Sequence, residues 1–251
     1  MSRRYRGILF DLDGTLIGLD VGDFIPAYFE DIARFVARWD GDPEEFLRRL
    51  REATRAMIGD ADPETTNREV FEAHFFCGIE GAQRAREEAC FEVFYRLEFP
   101  KLRRFCEPIP GADVVLRMLD AGGLRRVLAT NPLFPRVAIE TRLRWGGLAP
   151  EEFETLTTYE NSRFCKPNPQ YFAAIAADMG LAPEEVLMVG NDPVEDMVAS
   201  EIGMDTFLVN HYVVPRPDVM HKPTYRGALE DIPGLVLEGR VRGIRTGDDG
   251  G

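Results

Sequence analysis

Hydrophobic residues recur at helical spacing from about Gly18 to Cys106. One stripe begins at Ile25 and a second at Phe46, and two further helical patterns follow in "TTNREVFEAHFF" and "AQRAREEACFEVFYRLEF". Spacing of this kind is typical of helices that bury one face. The segment therefore predicts a compact helical bundle. Aromatic residues at helical spacing are expected to form its core, although one or two of them could line a cleft; they are Phe71, Phe75, Phe76, Phe91, Phe94 and Tyr95. The bundle ends at the turn-rich "CEPIPG".

From Gly111 onward the pattern alternates between strands and helices. Apolar strands are predicted in "RRVLAT", "FETLTT", "EVLMVG" and "TFLVN", and helices in "ADVVLRMLDAGG", residues 137–145, "NPQYFAAIAADMG" and "VEDMVASEIG". Such alternation predicts a parallel sheet covered by helices on both faces. The buried strand "GILF" near the start most economically joins that sheet. The helical bundle is then an insertion into a three-layer α/β/α domain.

Composition and charge limit the classes of function. The 251 residues carry a formal net charge of −13, which argues against nucleic acid or an anionic membrane surface as a partner. No apolar run is long enough to cross a bilayer, and the basic start "MSRRYRGILF" does not fit a signal peptide. We therefore expect a cytoplasmic protein whose four scattered cysteines are free thiols. The three histidines are unclustered and fit packing or surface roles.

Polar residues follow the ends of the predicted strands. Parallel sheets bind ligands beyond the carboxyl ends of their strands, so these residues converge on one edge. They are Asp11, Asp13, Thr130, Asn131, Lys166, Asp192 and Asp196. Crowded carboxylates need a compensating cation, and oxygen-only ligands favour Mg²⁺. Backbone N–H groups at Gly14 could bind an anion, with Thr130 and Asn131 as neutral donors, although Asn131 could instead cap the following helix.

This combination suits phosphoryl transfer. One carboxylate attacks phosphorus to form an aspartyl-phosphate, and a second carboxylate two residues away transfers the proton. Side chains of residues i and i+2 in a strand share a face, which explains why two acids follow one strand.

Four motifs, "FDLDGTL", "ATN", "KPNP" and "VGNDPVEDM", resemble in their order those of the haloacid dehalogenase-like hydrolases. The resemblance implies a Rossmann-like core, with Asp11 as nucleophile and Asp13 as general acid/base. It also implies that Thr130 and Lys166 hold the phosphate, and that Asp11, the backbone carbonyl of Asp13 and an aspartate of the last motif bind Mg²⁺. Many members read "GD" where this chain reads "GND". We expect Asp192 to bind the metal directly and Asp196 to bind through water or to orient Lys166, although the reverse division is open.

The long gap between the first two motifs resembles the helical-cap (C1) subclass of that family. The implied division is a core at residues 1–17 and 107–238, an α-helical cap at 18–106 and a flexible tail at 239–251. Hinges are expected at 16–20 and 107–111, and the cap is expected to set substrate specificity. The short gap between Thr130 and Lys166 leaves no room for a larger α+β cap.

The favoured function is a Mg²⁺-dependent phosphatase of a small phosphorylated metabolite. The sequence reveals neither which metabolite this is nor the oligomeric state of the protein. Asp13 disfavours a dehalogenase, because a halide leaves without a proton. A phosphonatase would need a cap lysine, and Lys101, at the end of the segment, is the only one there. A phosphomutase, or an inactive protein of this fold that binds a partner, remains the alternative.

Overall fold

The computed structural model describes residues 4–39, 41–217, 221–239 and 244–245. Within those ranges the strands are β1 (Gly7–Phe10), β2 (Ile17–Leu19), β3 (Cys106–Pro108), β4 (Arg125–Leu128), β5 (Thr155–Leu156), β6 (Val186–Gly190), β7 (Asp205–Val209), β8 (Tyr225–Gly227) and β9 (Ile244–Arg245). Seven of these described strands form one sheet in the order β5-β4-β1-β6-β7-β8-β9. All neighbours in it are parallel except β8 and β9, which are antiparallel.

The helices of the described residues cover both faces of this sheet and form the inserted segment. They are α1 (Val21–Arg38), α2 (Pro43–Gly59), α3 (Asn67–Phe75), α4 (Gly81–Val93), α5 (Ala112–Ala121), α6 (Arg136–Trp145), α7 (Pro169–Asp178) and α8 (Ile232–Glu238). A π-helical turn (Phe94–Glu98) and a 3₁₀ helix (Phe99–Phe105) continue from α4.

Alternation along β1 divides the core into two layers. Ile8 and Phe10 pack into a large cluster with α5, α6, α8 and the inserted helices, whereas Leu9 packs on the other face with α7. All three side chains are fully buried. Because successive strand residues face opposite sides, an uninterrupted apolar strand is the expected sequence of one covered on both faces. The three-layer parallel fold class is therefore confirmed, with one antiparallel strand added at the edge.

The inserted helical segment leaves and re-enters the core through a two-stranded antiparallel ribbon. Strands β2 and β3 pair from Ile17 with Pro108 to Leu19 with Cys106. The two predicted hinges overlap this ribbon, so the outgoing and returning chains are joined by backbone hydrogen bonds. Helices α1–α4 lie between the two strands, at the place where the all-helical insertion was expected. The boundaries at residues 18 and 106, and the flexing of the hinges, stay predictions.

Helix α1 illustrates how local sequence sets the start and the buried face of a helix in the insertion. Asp20 caps its start, with a side-chain oxygen that accepts from the N–H of Gly22 at 2.7 Å. Its apolar stripe, including Phe24, Tyr28 and Ile32, is buried. A polar cap followed by an amphipathic stripe is a strong helix signal, which is why this helix is found as predicted.

The predicted helix over 194–203 is wrong in type. Only a short 3₁₀ helix, Met197–Ile202, forms there within the described residues. The N–H groups of Ala199 and Gly203 bond to the carbonyls of Asp196 and Ser200, three residues back. In this segment the Asp196 side chain is bound to Lys166 Nζ and to the Asp192 N–H.

The predicted flexible tail, residues 239–251, lies mostly outside the described residues. Of it the structure describes Gly239 and the short strand β9. No helix within the described ranges is long and apolar enough to cross a membrane.

Candidate active site

Three adjacent strands bring the predicted residues to one edge of the sheet. Asp11 follows β1, Thr130 follows β4 and Asp192 follows β6, and β1 lies between the other two strands. A cavity of about 300 Å³ opens there. The predicted residues that line it are Asp11, Asp13, Thr130, Asn131, Asp192 and Asp196. It is closed on one side by α1, through Val21 and Ile25.

Lys166 is the buried centre of charge in this site. Its Nζ donates to Asp11 Oδ1 at 2.8 Å and to Asp196 Oδ1 at 2.6 Å, and its side chain is 1 % exposed. Burial by itself would lower the pKa of Lys166, but the two carboxylates hold that pKa well above its usual value. Lys166 is therefore a fixed positive charge beside Asp11.

Asn131 positions the loop that carries Lys166. Its Oδ1 accepts from the backbone N–H of Lys166 at 3.2 Å, and its Nδ2 donates to the Lys166 carbonyl at 3.4 Å. Nδ2 also donates to Glu195 at 3.2 Å. Helix α6 begins later, with Pro135 at its N-cap, so Asn131 does not cap that helix.

Asp13 lies beside an arginine that the sequence analysis missed. Its Oδ2 accepts from Nη1 of Arg142 on α6, whereas its Oδ1 is buried without a hydrogen-bond partner among the described residues. Burial raises the pKa of Asp13, and Arg142 opposes that rise. A raised pKa keeps a carboxylic acid protonated closer to neutral pH, which suits proton donation.

The two aspartates after β6 have different partners. Asp196 Oδ1 binds Lys166, and its Oδ2 accepts from the Asp192 N–H at 2.9 Å. Burial raises the pKa of Asp196 from 3.8 to about 7, against the charge of Lys166. Asp192 instead accepts from the N–H groups of Val194 and Glu195, at 2.8 and 3.2 Å, and is paired with Arg216. Asp196 thus contacts Lys166 directly, and its expected role in orienting Lys166 or in supporting the metal stays a prediction.

Gly14 shapes the turn after β1. Its φ is +78°, and a Cβ there would collide with the side chain of Asn191. Both facts favour glycine. The N–H of Gly14 donates to the Ile17 carbonyl at 2.8 Å and is engaged there in this conformation. Its predicted part in binding phosphate stays a prediction, as does that of Thr130, which is 3 % exposed.

The donor set fits a hard divalent cation in its chemistry. Five carboxylates line the cavity, counting Glu195, against the positive charges of Lys166, Arg142 and Arg216. The excess of negative charge, and the unpaired Asp13 Oδ1, favour an added cation with oxygen ligands. No group of three or more acidic, histidine or cysteine side chains in the described ranges is arranged to hold a metal. Asp11, Asp13 and Asp192 instead contact Lys166, Arg142 and Arg216.

The sequence held a signal for Arg142 but none for Arg216. Arg142 lies on the buried stripe of α6 between Ile139 and Leu143, where a charged residue needs a buried partner. Arg216 comes from a loop after β7 and reaches Asp192 only through tertiary folding.

Comparisons with known proteins agree with this geometry. Residues 5–201 match the family model for haloacid dehalogenase-like hydrolase. Hexitol phosphatase A of Escherichia coli (strain K12) is 30 % identical over 208 residues, which are 82 % of this chain and 84 % of that protein. Phosphoglycolate phosphatase of Rhodospirillum rubrum is 23 % identical over 206 residues, 82 % of this chain and 80 % of that protein.

Solved structures share the fold. A HAD phosphatase from Thermococcus onnurineus has a TM-score of 0.56 at 19 % identity, covering 94 % of this chain and 99 % of that one. The L-2-haloacid dehalogenase of Xanthobacter autotrophicus has a TM-score of 0.52 at 19 % identity, covering 92 % and 98 %. Because one fold supports both chemistries, the choice between them depends on the residues of the site.

Proposed function

Because the chain belongs to the haloacid dehalogenase-like hydrolases, we propose that it is a Mg²⁺-dependent phosphatase that hydrolyses a small phosphorylated metabolite. The main support for this proposal is that the two acids after β1 lie in different surroundings. Asp11 is held beside Lys166, and Asp13 is buried beside Arg142. Two carboxylates with distinct partners suit two distinct roles, one as nucleophile and one as acid/base. The cytoplasmic location expected from the sequence stays a prediction.

In the first step, a carboxylate oxygen of Asp11 attacks phosphorus, and the P–O bond to the leaving group breaks. Lys166 lies 2.8 Å from Asp11 Oδ1 and holds the nucleophile in place while its charge attracts the phosphate. Protonated Asp13 gives its proton to the leaving oxygen. The products are an alcohol and a phosphoryl group bound covalently to Asp11.

In the second step, a water oxygen attacks the same phosphorus. Asp13, now a carboxylate, takes a proton from that water, and Asp11 leaves as a carboxylate. Inorganic phosphate is released, and both aspartates return to their starting states. The inserted helices beside the cavity would exclude bulk water and set specificity.

Mg²⁺ would be held by Asp11, the backbone carbonyl of Asp13 and Asp192, with Asp196 supporting through Lys166. When bound, it would neutralise charge on the phosphoryl oxygens. Because Arg216 contacts Asp192, that guanidinium would have to move or share the carboxylate. Bound Mg²⁺ would give this acidic protein a local positive centre that attracts an anionic substrate.

The same residues bear on three alternative functions: a dehalogenase, a phosphomutase and a binding protein without activity. A dehalogenase has no need of the proton from Asp13, and likeness to dehalogenases is at the level of fold. A phosphomutase would also use both aspartates, and it would require a bisphosphate activator and transfer to an organic acceptor. A binding protein without activity would not need the buried ion pairs of Lys166.

The test is hydrolysis of acetyl phosphate, a small activated substrate, with and without Mg²⁺. We expect Asp11→Asn to lower kcat by at least about 10³-fold, because it removes the nucleophile. Asp23→Asn, at an exposed acid of α1, is the matched control and keeps its activity. Turnover that survives in Asp11→Asn contradicts the mechanism, and a demand for a bisphosphate favours the mutase.

A further inference from the structure

A second, larger cavity lies between the inserted helices and the core. Its volume is about 610 Å³, roughly twice that of the catalytic cavity, and we call it the aromatic chamber. Eight of its nineteen lining residues are aromatic and six are aliphatic or proline. The aromatic ones include Tyr28, Phe29, Phe71, Phe91, Phe134 and Tyr159. Cavities of this size and lining are typical of sites for organic ligands.

The chamber continues directly from the catalytic cavity. Val21, Ile25, Leu133 and Phe134 line both of them. The Phe134 ring stands at the junction, with the guanidinium carbon of Arg142 at 4.9 Å from its centre. A phosphate placed beside Asp11 would therefore extend its organic group past these apolar residues into the chamber.

The polar groups of the chamber wall are largely paired already. The hydroxyls of Tyr28 and Tyr95 bond to each other at 2.9 Å, and Thr54 donates to the Leu50 carbonyl at 2.7 Å. Arg68 donates to Glu72 at 2.6 Å. A polyol or a second anionic group would lose hydration there and gain few new partners, which is costly.

The remaining charges at the wall are acidic. Glu88 is bound by Arg84 at 2.8 Å, and Glu92 lies 3.6 Å from Arg96. Neither of these paired acids supplies a positive charge that could bind a carboxylate or a second phosphate. Apolar groups, by contrast, gain free energy from burial against the aromatic wall.

We propose that the aromatic chamber binds the organic group of the substrate, and that this protein acts on phosphate monoesters of apolar alcohols, with an alkyl or aryl group. This inference rests on the proposed phosphatase function and goes further by naming the substrate class. It sets the protein apart from the relative that is named for a hexitol, an alcohol with six hydroxyls.

The test is kcat/KM for a series of n-alkyl phosphates from ethyl to hexyl, with mannitol 1-phosphate as the polar comparison of similar length. The leaving alcohols of the alkyl series have nearly the same acidity, so a change reports binding of the chain. Each added CH₂ that enters the chamber should raise kcat/KM about fourfold, or roughly 200-fold from ethyl to hexyl phosphate. Mannitol 1-phosphate should be a poorer substrate than hexyl phosphate.

Two variants connect the effect to the chamber. Val137→Asp places a charge on its wall, at a residue that is 44 % exposed in the first turn of α6 and therefore tolerant of substitution. Phe71→Ser removes a half-buried ring from the opposite side. Each should lower the ratio of kcat/KM for hexyl to ethyl phosphate at least tenfold. Val114→Asp is the matched control, a valine 46 % exposed in the first turn of α5 and outside the chamber.

The possible results separate this inference from the proposed function. Suppose that acetyl phosphate is hydrolysed but that kcat/KM of the alkyl phosphates does not depend on chain length, or that mannitol 1-phosphate is preferred to hexyl phosphate. Either result overturns the proposed substrate class and leaves the phosphatase function intact. A ratio that stays the same in both chamber variants overturns the location of the binding site. Absence of turnover on every phosphate overturns the proposed function itself.

Discussion

Replacing Lys166 with methionine tests the charge arrangement of the site most directly. The side chain is 1 % exposed, and its ammonium group is the shared partner of Asp11 and Asp196. Methionine has similar length but no charge. The Lys166→Met variant leaves two carboxylates close together in a buried site with no cation between them.

The expected loss of stability is large and depends on pH. Removing one partner of a buried ion pair costs about 3–5 kcal/mol, and we expect this loss at pH 8. Asp196 already has its pKa raised from 3.8 to about 7 by burial, and loss of Lys166 raises that pKa further. The folded variant therefore binds a proton that the unfolded chain releases. Its stability is highest at low pH and falls as pH rises, by up to about 1.4 kcal/mol per pH unit for each extra proton.

The measurement is the free energy of unfolding from urea titrations between pH 5 and pH 8, without Mg²⁺. Lys101→Met is the matched control, because Lys101 also lies 2.9 Å from a carboxylate, that of Glu98, but is 62 % exposed. That exposed pair should contribute only about 0–1 kcal/mol. The double variant Lys166→Met with Asp196→Asn should recover about 1–3 kcal/mol at pH 8, since one stranded charge is gone.

Three results would refute this reasoning. The first is a loss at pH 8 no larger than that of Lys101→Met. The second is a loss that is the same at pH 5 and pH 8, which would mean that no carboxylate gains a proton. The third is a double variant less stable than Lys166→Met alone.

Further predictions concern Asp13, its arginine partner and the metal. Asp13→Asn should lower kcat on ethyl phosphate by about 10²–10⁴-fold, whereas rapid-quench labelling with acetyl phosphate should still detect phosphorylated protein, because acetate leaves without a proton. Arg142→Met removes a charge that lowers the pKa of Asp13, so the alkaline limb of the pH profile of kcat/KM should move to higher pH; Arg144→Met, at an exposed arginine of the same helix, should leave it in place. Dialysis against EDTA should stop turnover without unfolding the protein by circular dichroism, and added Mg²⁺ should restore it; activity that persists would argue against a metal.

Much of the site could be predicted because parallel strands end at one edge. Asp11, Thr130 and Asp192 are far apart in sequence, yet each lies within two residues of the end of its strand, and the strands β4, β1 and β6 are neighbours. Residues that come just after adjacent parallel strands can therefore be expected to lie close together in space. The roles of these residues stay predictions, since geometry places a side chain without testing its chemistry.

The partners of these acids were beyond the reach of pattern analysis. Arg216 follows no strand end and has no periodicity to mark it, and its contact with Asp192 depends on how a loop folds back. The 3₁₀ helix after β6 was missed for a similar reason. It begins beside Asp196, whose two oxygens accept from Lys166 Nζ and the Asp192 N–H, and tertiary contacts of this kind are not visible in local periodicity.

The aromatic residues of the inserted helices mark another limit of periodicity. Phe75 and Phe94 are fully buried and fill the bundle, whereas Phe71 and Phe91 are half-buried and line the aromatic chamber. Helical spacing predicts that all four face inward, but it does not predict whether the space in front of them is filled. The rings of Phe71 and Phe91 meet edge to face, with centres 6.2 Å apart. Such rings pack against one another, so this part of the chamber wall is apolar before any ligand enters. Selectivity for an apolar alcohol would then come from a preformed surface rather than from hydrogen bonds.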